Sequence, residues 1–509
     1  MSSYDAIAIG DELATLLAAG LLARRGARVV LICPSPEGIH LTSPPVPLVI
    51  GHASARTIQR VFQELELSEP FSALLSPLGN TLAAPPQVVL PDARFDLDGE
   101  QGFRASVARE LKGAELRAAV ESTTEELRAV SRALEELLSE DLCFPADSFW
   151  SRRQEHRRSA RLPCGPLDRL TAPTEAAARA LLAAPAWLGC ELDPANPTAL
   201  AMARSLDGWL SGLHMLLGGR GALAELVLGR LAQLGVERRP WPSVLRLHGG
   251  LVGVRSVELD DGVQLRGETI VVGAPLARLL TWTDSPPRKL RELNKAVVPV
   301  GYRYVLHARF HEAGIPEGIG SCVAARSSLD SPAQGDNMLS LQLAPPDENG
   351  LVALTASALV PAQVDGSIPD FSSVRPLLWS RTAELMPFCE RHLVVADSPH
   401  DRLPPLGRGG TTDAAAPAGK LVPTTPTAVW SSTVDHALDI AAAPLRVGWS
   451  NVIVATRQNV PALGLEGELI TAWSAARLAT DLLSSTLTKR SRRQSPEGSG
   501  TMDRTPTAS

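Results

Sequence analysis

An apolar strand, a glycine turn, an apolar helix and a second apolar strand follow one another from Tyr4 to Ile32, in YDAIAIGDELATLLAAGLLARRGARVVLI. The first strand covers Ala6 to Ile9, the turn is at Gly10, and the helix runs from about Glu12 to Arg25. After a second turn at Gly26, a strand occupies Arg28 to Ile32. Leu13, Leu16, Leu17, Gly20 and Leu21 recur at helical spacing, whereas both strands are continuous apolar runs. Unbroken apolarity marks parallel strands covered on both faces. This βαβ unit places the chain in the α/β class.

A chain of 509 residues exceeds one ordinary core, so two interlocked lobes or two to three domains are expected. Hydrophobic residues at 44%, charged residues at 20% and a net charge of −6 fit a soluble globular protein with no footprint for nucleic acid. The six cysteines form no C-x-x-C pair; neither a zinc site nor a disulfide framework is signalled, and a reducing cytoplasm is expected. Asp5, Asp11 and Glu12 interrupt the N-terminal apolar run, which argues against a signal peptide. No charge-free run reaches membrane-spanning length.

Beyond the βαβ unit, Pro34, Pro36, Pro44, Pro45 and Pro47 make an irregular link to a helix near Ala55 to Leu67. Gln101 to Glu140 reads as helical and charged, and the basic run Ser151 to Arg161 as a solvated helix face in preference to an anion site. Helices follow near Thr174 to Leu182 and Thr198 to Leu217. Gly218 to Gly235 is a glycine-rich entry into a helix with a glycine stop. Short alternating runs punctuated by turns between Ser243 and Val272 read as hairpins. Strands are expected at Gly301 to Phe310, Met338 to Leu343 and Leu351 to Leu359, and a helix near Val374 to Arg391. A loop occupies Pro404 to Thr427; a strand at Asn451 to Ala455 then leads to a helix from about Glu468 to Leu483 and a polar tail.

Three of these stretches, in this order, carry a resemblance: the N-terminal βαβ unit, the GGRGALAELVLGRLAQLG helix with the meander that ends in ETIVVGAPLARLL, and NVIVATRQNVPALGLEGELITAWSAARLA. Together they resemble the phytoene desaturase and flavin amine oxidase superfamily of FAD/NAD(P)-binding proteins. The resemblance implies a two-lobed, Rossmann-like flavoprotein fold with a mixed-sheet and helical substrate domain, and FAD lying along the Rossmann lobe. It implies that residues 1–100 begin the cofactor lobe, 101–217 are a helical substrate-domain insertion, and 218–285 return to the cofactor lobe. Residues 286–447 would then form the substrate domain with its irregular loop, 448–486 the closing strand and helix, and 487–509 a disordered tail.

Against that pattern, Gly10 supplies the tight bend of the phosphate-binding turn. The second glycine position is Glu12, whose bulk and charge oppose a pyrophosphate at a helix N-terminus. Thr15 stands at the third, and Cys33 replaces the strand-end carboxylate that grips a ribose. After it, CPSPEGIHLTSPP keeps only Gly38 of the usual glycine pair. FAD is thus implied by the resemblance and opposed by Glu12, Thr15 and Cys33. The candidate cofactor residues are Gly10, Arg457, Gly464 and Gly467. Gly10 either touches phosphate or makes a plain βα turn; Arg457 either pairs with a phosphate or solvates a strand end. Gly464 and Gly467 either aim free helix N–H groups at a flavin or simply start a helix.

The stripe Met202, Leu206, Trp209, Leu213 and Leu216 is core, the wall of an apolar substrate space, or a membrane-surface contact. Trp209 and Leu213 are the candidate cleft residues, for an apolar small molecule. His307 and His311 have H-x-x-x-H spacing, but on a strand they lie roughly 13 Å apart, so no metal is expected. No G-x-S-x-G elbow is present. Catalytic residues are not identified. Two functions remain: an eroded, non-catalytic or weakly FAD-binding protein that binds or acts on an apolar small molecule, and an active FAD-dependent oxidoreductase of the desaturase type.

Overall fold

The computed structural model describes residues 2–33, 48–77, 85–91, 93–98, 102–108, 112–140, 143–163, 176–240, 245–250, 252–407 and 424–494. The proline-rich link with Gly38, most of the Pro404 to Thr427 loop, and residues 495–509 lie outside them.

The strand Ser2–Gly10 pairs in parallel with Gln264–Gly273 on one side and with Val29–Cys33 on the other. Glu237–Pro240 extends the sheet beyond Val29–Cys33. The strand Gln264–Gly273 divides its free edge. Its first residues pair with the meander strand Val254–Leu259, while Ile270 to Val272 pair in parallel with the C-terminal strand Val452–Val454. Residues from the start, middle and end of the chain thereby build one seven-stranded sheet. The helix Leu13–Arg24 is buried from Leu13 through Leu22, apolar on every side, as a helix covered by both sheet and neighbouring helices must be. The C-terminal helix Gly464–Gln494 packs against it in one core. That helix runs through Lys489 to Gln494, residues expected in the tail.

A ten-stranded sheet forms the second layer, centred on the long strand Val297–His311. Along one edge this strand pairs with Leu351–Pro361, and along the other with Thr427–Ser432 and Leu393–Asp397. Its alternation sets two faces. Tyr302, Tyr304, Leu306, Ala308 and Phe310 enter a closed core that includes Leu378 of the helix Val374–Leu385. Arg303, Val305 and His307 take the opposite face. His307 hydrogen-bonds Thr355 across the sheet at 3.3 Å.

Strands Gln87–Leu90, Ala93–Asp98 and Gly102–Ala108 also belong to this sheet, on both sides of the boundary drawn at residue 100. The helix expected from Gln101 begins at Lys112. The segment GFRASVA has few charges of its own, and the polar context on its C-terminal side hid a strand that pairs with Ala93–Asp98. The Ser151 to Arg161 run falls on the helix Phe149–Ser159 with Arg152, Arg153 and Arg157 exposed, while Arg158 pairs with Glu140 at 2.6 Å. Among the described residues, no helix is long and apolar enough to cross a membrane.

Candidate functional site

The helix expected from Thr198 to Leu217 ends at Leu210, because Gly212 adopts a left-handed φ of 101° and breaks it. Leu213 therefore lies past the helix, and Leu216 belongs to the strand His214–Leu216, which pairs with Leu48–Ile50 and Leu75–Pro77. All five stripe residues are buried, so the stripe faces no membrane. Trp209 and Leu213 nonetheless reach the edge of a cavity of about 310 Å³.

This cavity lies between the helices Ala176–Gly189 and Ala199–Leu210 and the large sheet. Ile50, Leu188, Trp209, Leu213, Leu463 and Leu465 line it with apolar surface. Arg303, Gln342, Thr355, Ser357 and Thr427 line it from the sheet with polar groups. Arg457 and Gly464, named from the sequence, join the same wall as Glu191 and Arg220. The cavity is amphipathic rather than apolar throughout.

Charges around it are organised by pairing. Arg204, 3% exposed, forks onto Glu466 through Nε at 2.9 Å and Nη2 at 2.8 Å, and reaches Glu135 at 3.0 Å. Burial alone would raise the Glu466 carboxyl; the Arg204 charge and hydrogen bonds overcome it and hold it at about 2. Arg457 lies 3.5 Å from Glu191 and 3.7 Å from Glu468, and Arg220 also engages Glu468 and approaches Glu191 at 3.9 Å. Among the described residues Arg303 has no carboxylate at ion-pair distance. Its Nη2 donates only a 3.4 Å hydrogen bond to the Cys190 carbonyl, and its buried Nη1 has no partner.

The turn after the first strand lies beside this cluster. At Gly10, φ is 129°, and a Cβ there would meet the Gly273 carbonyl oxygen at 2.5 Å, so two parallel strand ends close on each other. Glu12 folds its carboxylate back to accept the Arg457 backbone N–H at 2.8 Å. Burial raises its pKa to about 7 despite the opposing Arg457 charge, with Glu468 and Asp11 adding to the rise. The buried Thr15 donates its hydroxyl to the Ala455 carbonyl at 2.8 Å and packs on Gly273, where an added Cβ would meet Thr15 Oγ1 at 2.3 Å. Cys33 is buried, its thiol pushed up by burial, with Arg238 at 3.8 Å.

The two C-terminal glycines are required by packing. A Cβ on Gly464 would meet the Gly189 carbonyl oxygen at 2.6 Å, and one on Gly467 would meet that of Val460 at 2.0 Å. Gly467 does not line the cavity. The structure brings Arg457, Gly464, Trp209 and Leu213 together at the cavity, leaves Gly10 and Gly467 at backbone crossings, and adds Arg303, Glu191, Arg204 and Glu466. Sequence reasoning missed Arg303, although the alternation in GYRYVLHARF separates Arg303, Val305 and His307 from the tyrosine face. Among the described residues, no group of three side chains could hold a metal ion.

No protein-family model and no curated protein matches the sequence. Solved structures do resemble the fold. The cyclohexylamine oxidase of Brevibacterium oxydans IH-35A superposes with a TM-score of 0.56 at 15% identity, over 94% of this chain and 99% of its own. Putrescine oxidase in its wild-type form bound to putrescine gives 0.53 at 13%, over 96% and 99%. An oxidoreductase from Methanosarcina mazei gives 0.52 at 11%, over 93% and 99%. At these identities the likeness is one of fold, and it spans nearly the whole of each chain: this protein has the α/β fold of these two amine oxidases and of this oxidoreductase.

Proposed function

We propose that this protein is a small-molecule-binding protein on the flavin amine oxidase fold, non-catalytic or holding FAD only weakly, whose ligand lays its apolar part against Trp209 and Leu213. The observation that carries this reading is the Glu12 carboxylate seated on the Arg457 backbone N–H.

A pyrophosphate needs bare backbone N–H groups and room beside them. Here Glu12 already takes the Arg457 N–H, Thr15 fills the space against Gly273, and Glu468 adds a further carboxylate beside Arg457. A dianion placed there would meet the Glu468 carboxylate and, above pH about 7, an ionised Glu12 in a partly buried setting, where each such contact costs on the order of a kcal/mol or more. Cys33 offers no carboxylate for a ribose hydroxyl, and Gly464 and Gly467 are accounted for by contacts with Gly189 and Val460. These residues do not suit the diphosphate of FAD.

The cavity beside them retains volume, an apolar wall and convergent polar groups, the features of a ligand site. A visible spectrum of freshly desalted protein tests the reading. Little flavin absorbance is expected; a near-stoichiometric flavin band would contradict it and favour an active FAD-dependent oxidoreductase. Long apolar ligands should change the tryptophan fluorescence, and Trp209→Ala should weaken their binding.

A further inference from the structure

We infer that the cavity takes a monoanionic, carboxylate-headed amphipathic molecule, with its head on Arg303 and its tail against Trp209 and Leu213. This rests on the ligand-binding reading above.

A guanidinium carries five N–H donors in a planar fork and stays ionised, so a buried one demands acceptors. Arg204 and Arg457, on the same wall, have carboxylate partners within the chain. Among the described residues, Arg303 has one long hydrogen bond to a carbonyl and a buried Nη1 with no partner, while it lines the cavity. Glu191, whose charge also acts on Arg303, is held at ion-pair distance by Arg457 and Arg220. A half-buried guanidinium without a carboxylate beside it is unfavourable, and an anion in the cavity relieves it.

The surroundings select the anion. Around Arg303 the sheet offers Gln342, Thr355, Ser357 and Thr427, neutral groups that hydrogen-bond an oxygen without adding charge. Among the described residues, Arg303 is the lining arginine without a carboxylate at ion-pair distance, and its single charge matches one negative charge. A phosphate dianion would set its second charge against Glu191 and Glu466, which line the same cavity. A protonated amine would face the Arg303 charge directly. A carboxylate fits the planar fork in two-pronged fashion, and the apolar residues from the helices accept a hydrocarbon tail.

Binding of octanoate, 1-octanol and octylamine, followed by calorimetry and tryptophan fluorescence, tests the inference. Octanoate should bind at least about tenfold more tightly than 1-octanol, as a charge-assisted pair requires, and octylamine most weakly. Arg303→Gln should bring octanoate down to the level of 1-octanol, and Arg303→Lys should keep part of the preference; circular dichroism checks that each variant is folded. Equal binding of octanoate and 1-octanol by the unaltered protein, or an undiminished preference in folded Arg303→Gln, overturns the carboxylate assignment and leaves the ligand-binding reading standing. Binding of none of the three overturns both.

Discussion

The turn after the first strand and the cavity a few residues away both bury charge, and they resolve it in opposite ways. At the turn the chain meets its own needs: Glu12 accepts from Arg457, Thr15 donates to Ala455, and the strand ends at Gly10 and Gly273 close on each other. In the cavity wall, Arg303 has, among the described residues, no carboxylate at ion-pair distance and a buried Nη1 with no acceptor. A site that satisfies its own groups has no demand for a ligand, and one left unsatisfied does. The two regions share Arg457, whose backbone serves the turn while its guanidinium serves the cavity wall.

The paired charges are the sharpest place to break this comparison. Arg204→Met strands Glu466 without its partner and should cost about 3–5 kcal/mol of stability in urea unfolding. A loss below about 1 kcal/mol would mean that pairing does not govern the wall. Because Glu466 is held at about 2, below its ordinary 4.5, its contribution is present above pH 4.5 and is lost as pH falls through about 2.

Gly467→Ala comes next. Its Cβ would meet backbone rather than a flexible side chain, so about 1–3 kcal/mol of destabilisation is expected, with or without added FAD. A stable variant that had only lost flavin binding would return Gly467 to a cofactor role.

Glu12 gives a smaller effect of opposite sign to that of Glu466. With its folded pKa raised to about 7, its contribution is fully present below about 4.5 and is lost as pH rises through about 7. Relative to Glu12→Gln, the unaltered protein should lose about 1–2 kcal/mol over that window, a figure reduced for its partly exposed side chain. Parallel pH profiles would show that Glu12 is solvated and not seated in the turn.

The legible parts of the fold were those with local signals. Continuous apolar runs disclosed the parallel strands at Ala6 to Ile9 and Asn451 to Ala455, and these do share a sheet. Gly212 was legible as well, yet the apolar spacing from Met202 to Leu216 outweighed one glycine and extended the helix too far. The purpose of Gly464 was not legible, because its contact, the Gly189 carbonyl, lies far away in sequence. The same holds for Arg303: strand alternation assigns its face, but only the assembled sheet and helices show that this face opens on a cavity where, among the described residues, no carboxylate comes within ion-pair distance of it.

The central claim is that Glu12 and Thr15 occupy the space a pyrophosphate would need. Titrating FAD into the unaltered protein and into the Glu12→Gly, Thr15→Gly double variant, followed by quenching of flavin fluorescence, tests it most directly. Weak or undetectable binding by the unaltered protein and at least about fivefold tighter binding by the variant are expected, since removing a like charge from a partly buried site is worth on the order of 1 kcal/mol or more. Tight, stoichiometric binding by the unaltered protein, unimproved in a folded variant, would contradict the claim.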